Sequence, residues 1–256
     1  MRGSRLLHAA WVLAAVSGGC LAHVPDVRSV HPSGSTVPAN LLRISLVFPH
    51  APAGELLPRI ALSHADGRPL DRPFLPQELW SPDGRILTLL LHPGRVKSDL
   101  VARRTLGPIL DEGDDIVLSI DGRPLKRWHV GGADVRGPQV ATWRLAPVAP
   151  ASRDALVVTL DEAIDARAAG YVAVADPQGQ RLAGTGHLGP GETTWIFVPA
   201  KPWRAGMYRL MVRGTVEDPS GNRPATSFES PGSAGVPATP ADLSIPFHVN
   251  ALPRSS

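Results

Sequence analysis

From Pro32 to Phe48 the chain reads Pro-Ser-Gly-Ser-Thr-Val-Pro-Ala-Asn-Leu-Leu-Arg-Ile-Ser-Leu-Val-Phe. Turn formers give way to an alternation that puts Leu42, Ile44, Leu46 and Phe48 on one face and Arg43 and Ser45 on the other. A period of two is what a strand shows when one face meets a core and the other meets water. The pattern returns at 155–160, where Leu156, Val158 and Leu160 share a face behind Pro147 and Pro150. Apolar runs bounded by turn residues predict further strands at 59–63, 78–80, 85–91, 116–120 and 126–130, and again at 171–175, 193–198, 208–213 and 243–249. The steps Asp66-Gly67, Asp83-Gly84 and Asp121-Gly122 are hairpin signals, because a type I′ turn needs positive φ at both central residues. No stretch carries an amphipathic helical period; 97–106 makes at most a turn or two. Pro246 has no N–H for a ladder and so places the last strand at a sheet edge or a bulge.

These elements follow one plan twice. Ile60-Ala-Leu-Ser-His-Ala-Asp-Gly-Arg-Pro-Leu70 matches Val172-Ala-Val-Ala-Asp-Pro-Gln-Gly-Gln-Arg-Leu182 in kind, and Trp128-His-Val130 closes the first unit as Phe247-His-Val249 closes the second. A chain of 256 residues holds two domains of about 100 to 120 residues, the size of immunoglobulin-like sandwiches. The expected class is all-β: two tandem immunoglobulin-like β-sandwiches over 23–132 and 151–250, a junction at 133–150 in which Trp143 packs between or beside the domains, and a tail at 251–256. The Ser-, Gly- and Pro-rich run 226–240 reads as a mobile loop before the last strand.

Residues 1–22 have the form of an export signal: Arg2 and Arg5, an apolar run from Leu6 to Val16, then Ser17, Gly18 and Gly19. Two cleavage sites compete. Cleavage before Cys20 would leave a cysteine to carry a diacylglycerol, and a lone cysteine on an exported protein has no intrachain partner. Cleavage after Ala22 would leave His23 at the amino terminus. The first reading makes the membrane a partner through the lipid on Cys20; Leu21 in the next position implies sorting to the outer membrane, facing the periplasm or the cell surface. Removal of Arg2 and Arg5 lowers 26 Lys+Arg to 24 against 23 Asp+Glu. A balance so near neutral, with arginines scattered, argues against nucleic acid as a partner.

Ser33-Gly-Ser-Thr-Val-Pro-Ala-Asn40 before Ile44-Ser-Leu-Val-Phe48, with Glu217-Asp-Pro-Ser-Gly-Asn222 near the other end, resembles the bacterial Ig-like domains of the S-layer-protein (SbsA-like) type. The resemblance implies tandem sandwiches in a cell-envelope protein, used as structural or binding modules; the family has a small polar and an acidic residue where this chain has Pro49-His50. The opening from His23 to Phe48 is also similar to CopC-type periplasmic copper carriers, which would make His23 the one metal candidate, although that family's downstream Asp-x-His is absent. No zinc spacing joins the other histidines. Asp111-Glu112-Gly113-Asp114-Asp115 offers hard oxygens to Ca²⁺ but reads first as a solvated turn, as does Asp218–Asn222 with Gly221 supplying positive φ. Carboxylate pairs such as Asp161-Glu162 fall in loops. No nucleophile motif or phosphate loop is present. The expectation is a non-catalytic protein with no cofactor and with an envelope protein or glycan as partner, a glycan being held by exposed aromatics such as Trp80 or Trp203.

Overall fold

In the computed structural model, which describes residues 25–97, 100–224 and 240–250, the period-two runs are strands of four sheets. The first unit contains β1 (Ser29–His31), β2 (Thr36–Pro38), β3 (Arg43–Val47), β4 (Ile60–His64), β5 (Leu79–Trp80), β6 (Ile86–Leu90), β7 (Asp115–Ile120) and β8 (Arg123–Gly131). One sheet runs β1-β3-β6-β5 and the other β2-β8-β7-β4, with every pairing antiparallel except β2 with β8. Two short helices, α1 (Pro93–Val96) and α2 (Val101–Leu106), fill the connection from β6 to β7. The second unit contains β9 (Arg144–Leu145), β10 (Leu156–Thr159), β11 (Val172–Ala175), β12 (Gly184–Leu188), β13 (Thr194–Pro199), β14 (Gly206–Val212) and β15 (Leu243–Val249). Its sheets run β12-β13-β10-β9 and β11-β14-β15. Labelled A to G, both units place A, B, E and D in one sheet and C, F and G in the other, the immunoglobulin arrangement, with an extra strand beside G in the first. The fold is two tandem Ig-like β-sandwiches.

The alternation decides which side chains meet. Ile44, Leu46, Leu87 and Leu89 face Leu62, Ile116, Leu118 and Trp128 in the first core. Leu156, Val158, Trp195 and Phe197 face Val174, Leu210, Val212 and Val249 in the second. Each large side chain fully buried in this way contributes about 1.5–3 kcal/mol. The second core already takes in Val140, Trp143 and Val148. Trp143 is therefore buried in that domain, its indole N–H donating to Asp161 Oδ1 at 2.8 Å.

The internal repeat extends to single hydrogen bonds. Leu70 N donates to Leu62 O, and 112 residues on Leu182 N donates to Val174 O. His64 N to Arg68 O has its counterpart in Asp176 N to Gln180 O, with Gly67 and Gly179 at φ 91° and 80°. Of the three Asp-Gly steps, only Asp121 (φ 49°) and Gly122 (φ 75°) both take positive φ. At Asp66-Gly67 and Asp83-Gly84 only the glycine does, because these loops are longer than two residues.

Four strands have no apolar alternation to announce them: β1, β2, β9 and β12. Strand β12, Gly-Thr-Gly-His-Leu, is nearly all exposed, and its glycines answer to the neighbouring strand. A Cβ at Gly184 would lie 2.4 Å from the Phe197 ring and one at Gly186 2.7 Å from the Trp195 ring. Strand β15 is an edge, paired only with β14, which accommodates Pro246.

Candidate functional site: the polar joint between the sandwiches

The B–C loop (160–171), the D–E loop (189–193) and the described start of the F–G loop (213–224) of the second sandwich lie at the end that meets the first. They receive its A–B turn, which carries the Ser33 to Asn40 motif, and the start of β3. Leu42 N donates to Pro219 O at 2.9 Å, and Ser220 Oγ donates to Asn40 Oδ1 at 3.1 Å. Asn40 and Asn222 both donate from Nδ2 to Asp134 O, at 2.6 and 3.0 Å, so the connecting chain is held by both units at once. The turn expected at Asp218–Asn222 forms, with Gly221 at φ 84° and Asn222 N donating to Asp218 Oδ1. It is not solvated: Asp218, Ser220 and Asn222 are fully buried.

Two ionic contacts flank this seam. Arg43, assigned by its alternation to the polar face of β3, is only 8% exposed because the second sandwich covers it. Its Nη1 lies 2.7 Å from Glu217 and 3.4 Å from Asp165. Arg167 and Arg223 complete the set at 3.0 Å from Asp165 and 2.7 Å from Glu217. On the other flank Glu192, 1% exposed, takes the Ser33 N–H on both carboxylate oxygens and the His31 ring on Oε1 at 2.6 Å. Gly191 N donates back to Ser33 Oγ. Burial pushes Glu192 up, but the hydrogen bonds from His31 and Ser33 outweigh it and hold its carboxyl below the usual range. Glu192 sits at φ 55°, a left-handed conformation costly for a residue with a side chain and worth its cost where it aims a carboxylate. Trp128 Nε1 and Lys126 Nζ fix the receiving turn by donating to Pro32 O and Ser33 O.

Between the flanks Asp134, Glu162 and Asp218 bring one oxygen each to within 4.8 Å of one another. Among the described residues this is the one such convergence of three His, Cys, Asp or Glu side chains, and it contains no histidine. Burial pushes Glu162 up to about 8, helped by Asp134, Asp218 and Asp161 against a weaker pull from Arg136. Asp218 is pushed up to about 7, again chiefly by burial, in spite of the Asn222 hydrogen bonds. Asn222 already donates to both oxygens of Asp218, and what the trio brings together is like charge.

Other expected residues lie elsewhere. Cys20, His23 and nearly all of 226–240 are outside the described residues. Trp203 is not exposed: it is 2% accessible, packs edge-on to Tyr208 at 5.3 Å and donates to Asp154 O, so it is core. Trp80 is half-buried against Phe48, its N–H on Glu78. His64 faces Asp114, His129 faces Asp115, and His92 caps Gly94 N; these histidines do not converge. In the 111–115 turn, Asp114 and Asp115 thus go to separate histidines. The joint residues Arg43 and Glu192 carry no sequence signal, because each is a lone charge in a strand or loop, and Glu217 belongs to the closing motif without a role that the motif announces.

No family model matches the chain, and no curated protein matches it. Among solved structures it is similar to the surface layer protein SbsC, domains 4–9, at 8% identity and TM-score 0.26, over 89% of this chain and 32% of that one. It is similar to Rst D1-D2 at 10% identity and TM-score 0.25, over 85% and 94%. The group B Streptococcus pullulanase SAP is similar at 9% identity and TM-score 0.24; this chain spans 72% of its own length and 21% of the pullulanase. These likenesses are too loose to carry a function, and the Ig-like fold rests on strand order.

Proposed function

We propose that this chain is a non-catalytic module of the cell envelope, exported, held to a membrane by a lipid on Cys20, and carrying its two Ig-like sandwiches as one stiff arm. One observation carries the reading. Of the ten polar or charged residues buried among those described, seven (Asn40, Arg43, Asp165, Glu192, Asp218, Ser220 and Asn222) lie in the joint. Domains linked in one chain ordinarily move against each other unless their interface is large and apolar. Burying so many polar groups is tolerated only where their partners are held in place, so this interface favours one geometry. The B–C and F–G loops, which in variable domains belong to the binding end, contribute to the joint in the second sandwich. The joint is also specific to this pair: with the 112-residue offset, Arg43 corresponds to Ala155 and Asp165 to Ala53. A resemblance of the opening and closing motifs to S-layer-type Ig-like domains fits an arm that spaces or presents a partner at the envelope.

Two measurements test this. Cys20→Ser should move the protein from the membrane fraction to the soluble fraction, since a diacyl chain supplies the anchor; a wild type already soluble would sink the anchor. Small-angle scattering of the Cys20→Ser protein should fit a single conformation of the two sandwiches. Scattering that requires a broad ensemble of interdomain angles would sink the arm.

A further inference from the structure

We propose that the joint is a pH-responsive latch, closed while Glu162 and Asp218, converging on Asp134, hold a proton and loosened when both are ionised. It deepens the stiff-arm reading and depends on it. The three carboxylates come from three segments: Asp134 from the connecting chain, Glu162 from the B–C loop and Asp218 from the F–G loop. Asp134 and Glu162 line a cleft of about 330 Å³ between the sandwiches. The wall given by the first sandwich, which includes Gly34, Thr36, Val37, Pro38, Gly131 and Gly132, is uncharged in its lining residues and brings no cation, and the Glu112 carboxylate lies beside Gly132. The charged groups near the trio include Asp161, Glu192 in the same cleft, Glu112, and the single cation Arg136, so negative charge predominates. Glu162 Oε1 is sealed from water and has no hydrogen-bond partner, an oxygen that a proton satisfies and a second negative charge makes worse.

The sign follows from where the protons sit. Burial and mutual repulsion raise Glu162 to about 8 and Asp218 to about 7, both above the range of an open chain. The closed joint therefore binds protons more tightly than the opened one between about pH 4 and pH 8, and its stability falls as pH rises through that window. Glu192 works in the opposite sense: its carboxyl is held low, so its contribution is present above the usual carboxylate range and is lost only in stronger acid. Between pH 5.5 and 8.5 Glu162 and Asp218 both act to loosen the joint as pH rises.

The amide of Leu42, which crosses the joint to Pro219 O, reports closure directly. Hydrogen exchange of the full-length Cys20→Ser protein should give Leu42 a protection factor at least tenfold lower at pH 8.5 than at pH 5.5, after correction for the intrinsic rate. A carboxyl that binds its proton ten times more tightly in the closed joint weakens closure tenfold once it ionises. Core amides such as Leu46 and Leu210 should hold their protection. Glu162→Gln removes one charge without touching a hydrogen bond of the joint and should flatten the dependence; Asp218→Asn, tested separately, should flatten it in part. Equal Leu42 protection at both pH values in the wild type overturns the latch and leaves the stiff arm standing. An unprotected Leu42 at both values overturns both. A pH dependence as steep in Glu162→Gln and Asp218→Asn as in the wild type overturns the assignment to the trio.

Discussion

Replacing Arg43 by methionine removes the buried cation on one flank of the joint while keeping most of the side-chain volume. Its guanidinium is 2.7 Å from Glu217 and 3.4 Å from Asp165, and the Arg43 and Asp165 side chains are under a tenth exposed. Removing one partner of a buried pair ordinarily costs about 3–5 kcal/mol, because the charge left behind stays desolvated. Here Arg167 and Arg223 still reach the two carboxylates, so the lower end, about 3 kcal/mol, is expected. That loss falls on the contact between the sandwiches, since the neighbouring core position, Ile44, faces the other way. Urea unfolding followed by tryptophan fluorescence reads it out. Trp80 and Trp128 report the first sandwich, and Trp143, Trp195 and Trp203 the second. The wild type should unfold in one transition, and Arg43→Met should separate it into two. A cycle with Glu217→Gln should give a coupling of at least about 1 kcal/mol, as expected for residues in direct contact. A single transition shifted by less than about 1 kcal/mol, with no coupling, would refute the view that this ion set joins the domains.

Two other substitutions examine the surroundings. Gly137→Ala would place a methyl carbon 2.0 Å from Arg223 O, backbone against backbone, so the connecting chain must shift; a loss of about 1–3 kcal/mol in thermal unfolding is expected, and an unchanged melting temperature would show that this approach is not tight. Trp203→Ala should cost about 3–5 kcal/mol in the second sandwich, the usual range for deleting a buried aromatic, whereas a loss under about 1 kcal/mol would return Trp203 to the surface and reopen a glycan-binding role.

The period-two runs at 42–48, 116–120 and 155–160, with glycine turns between them, were enough to place the core strands, because burial of one face is written into alternate residues and into nothing else. The repeat was legible for the same reason: Ile60 to Leu70 and Val172 to Leu182 conserve a strand, a turn and a return, down to the Leu70 and Leu182 hydrogen bonds. Alternation says which face is apolar, however, and not what lies against the polar one. Arg43 and Ser45 had the pattern of solvent-facing residues, yet both are buried, Arg43 by carboxylates more than 120 residues away in the chain. Glu162 and Asp218 read as loop and turn residues, and nothing marked Glu192, because local sequence carries no record of a second domain's surface. Strands β1, β2 and β12 were likewise invisible, being short or glycine-rich and ordered by the partners they pair with. The amino-acid order therefore determined two sandwiches and their cores. Which polar residues would be desolvated together, and hence where the chemistry of this protein concentrates, was decided only when the two domains packed end to end.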